Sequence, residues 1–392
     1  MIELTHSDVL DLLFGATYLG TGGGGELDEG IALIDEAAKA GKRFYLETLE
    51  DAPQEKLACT PYFLGAISAL PTEEEQLYER LPKPEGQAIQ RAFERLEEYL
   101  GHKIYGSLAC ELGGSNTAVA FYVAAMNDGV VLDADPAGRA VPEITHSTYY
   151  LNQLPASPIV VGNAFGEMMI LENIIDDQRA EHVVRSIAMA SRNDVAAIDH
   201  TLPIAELKDA LIPGTMSLSL KIGRACKEAI ANGEDTANLL AKIGGGTVSF
   251  KGVVSETSWR TQDGFTHGNF ALSGHGEYRG QRYDIKLKNE NMAAWRDGIL
   301  DIVIPDLICA IDINTGAPVT NPNTHIGQHI AIVKLPAPAQ FKTQKGLQIF
   351  GPNYIGLEGY KGLTAGNIVD NWRTHEDSNL RPLPSEGSAL SS

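Results

Sequence analysis

Four consecutive glycines, Gly22-Gly23-Gly24-Gly25, open the chemical reading of this chain, because each costs backbone entropy on folding and packing alone does not explain them. Such a ribbon lets main-chain N–H groups approach an anion or a carbonyl closely, above all where a helix N-terminus follows. The spacing is neither GxGxxG after a strand nor a P-loop. A helix precedes the ribbon and no lysine follows it, so nucleotide binding is poorly supported. The plain alternative is a tight surface loop.

A second concentration of chemistry runs from Asp133 through Asp135, Arg139 and Glu143 to His146. Three carboxylates, one guanidinium and one imidazole in a short loop offer a general base, an oxyanion partner or a metal site. The bland reading is a solvated loop with a local Asp–Arg ion pair. Upstream, Glu111 and Asn116 flank Gly113-Gly114, where Glu111 is suited to hold a ring N–H and Asn116 to cap a helix. Asn289-Glu290-Asn291 is either an ordinary turn or a polar triplet reaching the site from the second half. His267, His275, His325 and His329 lack HExxH or comparable ligand spacing. There is no GxSxG elbow, and no cysteine sits in an electropositive setting, so activated water is the better nucleophile.

These residues need elements to hold them. An N-terminal helix is expected from a cap at Thr5–Asp8 and the stripe Val9, Leu10, Leu12 and Leu13, ending near Gly15. A second amphipathic helix follows from about Asp28 to Ala40, then strand-like runs at Phe44–Leu46 and Pro61–Ile67, and a charged helical region between Glu73 and Tyr99. Lys103–Ala109, Thr117–Met126 and Val130–Leu132 read as strand, helix and strand. That is a βαβ unit of a parallel sheet, with the glutamate turn and the acidic loop at its strand ends, where ligands gather. From Gln178 to Leu240 the pattern is helical. Beyond Gly244 it becomes short alternating runs at Thr247–Val254, Gly268–Ser273, Arg282–Lys288, Ile299–Ile304, Leu307–Ile311 and Gln328–Lys334, which read as antiparallel β structure. The expected fold is therefore α/β plus β-rich. An N-terminal α/β domain with a mainly parallel sheet (1–170) precedes a C-terminal, mostly antiparallel β domain with helices (171–368) and a polar, disordered tail (369–392).

Bulk properties bound the function. At 392 residues the chain has room for two domains, and a 43% hydrophobic share supplies both cores. A net charge of −20 repels phosphate backbones and anionic headgroups, so neither nucleic acid nor membrane is an expected partner. Four scattered cysteines, an N-terminus without a basic region and no long apolar run point to the cytoplasm. A homo-oligomer is plausible on class grounds, although no motif encodes one.

The stretches Gly15-Ala16-Thr17-Tyr18-Leu19-Gly20-Thr21 with the glycine ribbon, Glu111-Leu112-Gly113-Gly114-Ser115-Asn116, and Asp133 through Glu143 resemble the DUF917 family, now named for S-methyl thiohydantoin desulfurase. Ile212-Pro213-Gly214-Thr215, Asn289-Glu290-Asn291 and Val303-Ile304-Pro305-Asp306 extend the resemblance over about residues 5 to 360. It implies a hydrolase-type enzyme that replaces S-methyl with oxygen on a hydantoin-like ring and releases methanethiol. Under that reading Asp135 or His146 is the base, with Asp133 beside them. Arg139 and the amides of Gly23 and Gly24 hold ring oxygen or a substrate carboxylate, and Glu111 binds a ring N–H, with Gly22, Gly25, Asn116, Glu143 and Glu290 completing the substrate contacts. A divalent metal such as zinc on Asp133, Asp135 and His146 would activate water equally well. Two alternatives stand: an ATP-assisted, oxoprolinase-like activity, and a non-catalytic, small-molecule-binding accessory subunit.

Overall fold

The computed structural model describes residues 1–66, 76, 78–192 and 194–357. The expected tail at 369–392, the last residues of the expected second domain and part of the Glu73–Tyr99 region lie outside the described residues. The first half runs β1 (Ile2–Leu4), α1 (His6–Leu19), α2 (Leu27–Lys39), β2 (Phe44–Glu47), β3 (Leu57–Gly65), α3 (Ala88–Leu100), β4 (Gly106–Ser107), α4 (Gly114–Met126), β5 (Val130–Leu132), β6 (Ala134–Asp135), α5 (Thr148–Leu151), β7 (Ile159–Gly162) and β8 (Met168–Leu171). Next come α6 (Asp177–Ala190), β9 (Asp194–Pro203), α7 (Ile204–Leu207), β10 (Ile212–Pro213), α8 (Thr215–Asn232) and α9 (Thr236–Gly244). The rest is β11 (Thr247–Gln262), β12 (Phe265–Gly274), β13 (Arg282–Lys288), β14 (Glu290–Arg296), β15 (Ile299–Val303), β16 (Leu307–Asp312), β17 (His329–Leu335) and the short helix α10 (Gln344–Ile349).

One eight-stranded sheet has the order β1-β2-β5-β4-β3-β9-β7-β8. Its β2, β5, β4 and β3 are mutually parallel, and antiparallel strands flank them on both sides. The βαβ reading stands as β4–α4–β5, although only Gly106 and Ser107 of the expected Lys103–Ala109 strand pair. Helix α4 is apolar almost all round because it is buried, not because it faces solvent on one side. Helix α1 starts on a capping box, in which Thr5 Oγ1 accepts the Asp8 N–H and Asp8 returns a bond to the Thr5 N–H. It runs past Gly15 because that glycine lets α8 approach: a Cβ there would lie 1.8 Å from the Ser219 carbonyl oxygen.

Strand β9 differs from the sequence reading, and β7, β8 and β14 are strands it did not foresee. Within the expected helical stretch, Asp194–Pro203 is strand β9, inserted between β3 and β7. Its continuous apolar run Val195-Ala196-Ala197-Ile198 suits a strand covered on both faces, which periodicity alone does not separate from buried helix. Asn289, at φ 57°, forms the turn, and Glu290 begins strand β14. The second sheet, ordered β15-β14-β13-β12-β11-β17-β16, is antiparallel throughout, and it curls so that β14 and β15 come against β16.

Candidate functional site

A cavity of about 1050 Å³ opens where the two halves of the chain meet. Gly22–Gly25, the end of β3, Cys110 and Glu111 after β4, and Ser115 and Asn116 at the start of α4 line one side. Pro136 and Val141–Ile144 of the acidic loop, Asp199 and His200 of β9, and Asn289 and Glu290 of the second sheet complete it. The ribbon and the acidic loop therefore share one cavity.

The ribbon is a structural joint as well as a wall. Gly22, Gly24 and Gly25 take φ of 91°, 78° and 77°, a region costly for other residues. Gly23 has ordinary φ but no spare room, since a Cβ would sit 2.1 Å from Glu290 Oε1. The Gly24 carbonyl accepts the N–H groups of Ser115 and Asn116, both at 3.1 Å, and so occupies donors at the α4 N-terminus. The Gly23 amide, expected to hold substrate oxygen, donates to the Gly20 carbonyl at 2.9 Å. Across the joint, the Asn291 N–H bonds the Thr21 carbonyl and the Asn321 N–H bonds the Gly22 carbonyl.

Glu111 is buried and fixed. Its Oε1 accepts from Asn116 Nδ2 at 2.7 Å and its Oε2 from the Val141 N–H at 2.7 Å. Burial outweighs these bonds and pushes its carboxyl up to about 7. Asn116 does not cap α4. Its amide group pairs with the Phe63 backbone and orients Glu111. Glu290 is buried too, its Oε2 has no hydrogen-bond partner, and burial followed by repulsion from Glu111 raises its carboxyl well above the ordinary value. Glu143 lines the cavity beside Lys288 at 2.7 Å and Tyr354. Although burial opposes ionisation, His146 (protonated in the acid range where Glu143 titrates), Lys288 and Tyr354 hold it down to about 2.

The four residues expected at the reacting centre do not line the cavity, and each has other work. Asp133 accepts the Ser217 N–H at 2.9 Å and the Ser217 hydroxyl, supplying the side-chain cap that Gly214 cannot give α8. Asp135 turns its own loop by accepting the Ala137 and Gly138 N–H groups at 2.9 and 2.7 Å, while burial lifts its carboxyl to about 6. Arg139 is spent on oxygens that join the halves: Thr21 Oγ1 and the carbonyls of Ala140, Asn291, Pro305 and Asp306. His146 packs against Phe350 and Tyr354, and burial brings it down to about 3, so its imidazole is neutral. Asp133, Asp135 and His146 do not assemble into a metal site. Among the described residues no group of three or more His, Cys, Asp or Glu side chains could hold a metal ion.

Sequence reasoning missed Asp199 and His200, because it placed β9 in a helical stretch. Asp199 accepts from Tyr62 Oη at 2.7 Å and contacts His200 Nδ1 at 2.8 Å. It also missed Arg185, which bonds Glu181 at 2.7 Å and the Pro142 carbonyl at 2.9 Å and stacks over Phe265. The i,i+4 Glu181–Arg185 spacing on α6 was the available signal. Cys110 lines the cavity, but burial and then the charges of Glu111, Asp199 and Asp135 push its thiol well above the ordinary range, which disfavours a thiolate nucleophile.

Residues 7–173 match the S-Me-THD-like N-terminal domain and 175–363 the S-Me-THD-like C-terminal domain. The chain belongs to the S-Me-THD-like family. A crystal structure of a protein from Chromobacterium violaceum is similar at 23% identity, with a TM-score of 0.73 over 92% of this chain and 98% of that one, a likeness of fold alone. No curated protein matches the chain. Family membership is consistent with hydantoin-related chemistry and suggests an enzyme. No helix of the described residues is long and apolar enough to cross a membrane.

Proposed function

We propose that the protein is a hydrolase of S-methyl thiohydantoin-type rings. Water adds to the ring carbon that bears sulfur, the carbon–sulfur bond breaks, and the sulfur leaves with a proton as methanethiol. The ring keeps the water oxygen as a carbonyl and regains an N–H, so atoms and charge balance with no other reactant.

The observation that carries this reading is the pair of buried carboxyls, Glu111 and Glu290, set against the glycine ribbon in one cavity. Glu111, held by Asn116 and Val141 and poised at about 7, takes the proton of the attacking water. Glu290, whose carboxyl burial and then repulsion from Glu111 hold well above the ordinary carboxylate range, is the proton donor to the ring as negative charge develops. Both roles are carried by side chains of the chain itself.

Two features weigh against the phosphate-cradling alternative. The Ser115 and Asn116 amides are taken by Gly24. Even with Glu111 and Glu290 set aside as raised carboxyls, Glu26, Glu29, Glu36, Glu143, Asp194 and Asp199 outnumber Arg91, Arg185, Arg192 and His200 in the lining, a poor setting for a polyphosphate. The test is to incubate purified protein with S-methyl thiohydantoin in heavy-oxygen water, with and without ATP. Methanethiol release with label in the ring carbonyl, independent of ATP, is the expected result. ATP dependence, or binding of the ring without turnover, overturns it.

A further inference from the structure

Strand β9 breaks register beside the cavity. Ala58 pairs with Leu202 and Thr60 with Asp199, so His200 and Thr201 together face Cys59 in a bulge. His200 sits in that bulge at φ 42°, a strained conformation for a residue with a side chain. Bulges re-aim side chains next to binding sites, and this one brings Asp199 and His200 to the same cavity wall.

Carboxylates and an aromatic ring contact the His200 imidazole. Asp199 Oδ1 lies 2.8 Å from Nδ1 and Asp177 Oδ2, on α6, 3.4 Å from Nε2. The Tyr149 ring of α5 stacks on the imidazole at 4.3 Å, and Tyr62 of β3 donates to the other Asp199 oxygen. Cys110 stands close to Asp199, while Asp176 and Glu181 lie further along the α6 side. Two carboxylates around one imidazolium leave net negative charge at this wall, which suits an N–H donor and repels an anion.

We propose that His200 is a positioning residue that orients Asp199 as a ligand-contacting carboxylate, which accepts an N–H of the bound ring. The role rests on the ring chemistry proposed above and adds a recognition point to it. Burial alone would discharge the imidazole, but Asp199 and Asp177 outweigh it and hold His200 up to about 10, so the ion network persists across the neutral range.

Three measurements on the full chain test this. Isotope-edited NMR of the histidine rings is expected to find His200 doubly protonated through about pH 8, and Asp177→Asn is expected to lower its titration. A neutral tautomer at pH near 7 overturns the network, whatever the substrate. Replacing the imidazolium by a neutral amide in His200→Gln leaves Asp199 buried without its counter-charge. The pH profile of kcat/KM is then expected to gain a second acid limb, with the loss recovered at alkaline pH; a loss uniform across pH overturns the role. If His200→Gln does not fold, Asp177→Asn carries the same test through an alkaline limb moved to lower pH. Finally, Asp199→Asn is expected to weaken hydantoin binding by about tenfold or more. Equal binding by Asp199→Asn and wild type overturns the Asp199 role alone. No hydantoin binding by the wild type overturns the ring reading, and this role with it.

Discussion

Gly23→Ala places one methyl group against the carboxyl of Glu290. The backbone tolerates alanine there, because Gly23 is not among the residues of positive φ. The added Cβ would lie 2.1 Å from Oε1 and 2.7 Å from both Cδ and Cγ of Glu290, well short of the 3.4 Å at which ordinary contact begins. Glu290 can yield only by swinging its carboxyl into the cavity it lines, away from its place against the ribbon. Overpacking of this kind costs about 1–3 kcal/mol. For a chain of 392 residues that corresponds to a fall in melting temperature of about 1–4 °C. Displacing Glu290 by about 1 Å is expected to lower kcat/KM by roughly a hundredfold. The assay is a double-mutant cycle of Gly23→Ala and Glu290→Ala, read by thermal unfolding and by thiol release. Truncating Glu290 removes the clash, so the double variant is expected to be more stable than the sum of the singles by about 1–2 kcal/mol. Strict additivity, or a Gly23→Ala protein as stable and active as wild type, refutes the close apposition of ribbon and carboxyl.

Glu111→Gln is expected to lower kcat by about 10²–10⁴-fold, as measured by thiol release, and to remove a pH limb near 7. Because the raised carboxyl must be ionised to act as base, the wild-type rate is expected to climb with pH through that value. Asp133→Ala removes the α8 cap and is expected to cost about 1–2 kcal/mol in denaturant unfolding, while kcat of the folded protein stays within about threefold. Glu143 is depressed to about 2 from an ordinary 4.5, so its contribution is present above the ordinary value and is lost as pH falls toward the folded one. The difference in melting temperature between wild type and Glu143→Gln is therefore expected to shrink on acidification below the ordinary value. A constant difference contradicts the ion pair with Lys288.

The ribbon, Glu111, Asn116, Glu143 and Glu290 were legible in the chain because glycine runs and polar groups at strand ends carry a local signature, and all of them line the cavity. Their exact jobs were not legible. Asn116 looked like a helix cap, yet its partners are Phe63 and Glu111, brought close only by the packing of α4 on β3. Asp133 looked catalytic for the same local reason that any carboxylate at a strand end does. Its partner Ser217 lies far along the chain, and no spacing rule links the two. Arg139 likewise serves carbonyls of Pro305 and Asp306 across the joint between the halves. The Asp199–His200 pair was hidden twice, once by an apolar run that fits helix or strand and once by a bulge that depends on the register with β3. Fold class survived these errors, since alternating strands and a βαβ unit are local patterns, whereas the site depends on contacts between distant segments.

The most direct measurement is a crystal structure of the protein soaked with the hydantoin product. Density for the ring is expected in the cavity between Gly23 and the carboxyls of Glu111 and Glu290, with Asp199 within reach of a ring N–H. A ring bound elsewhere, for example in the cleft lined by Glu167, Arg179 and His182, contradicts the assignment of the site.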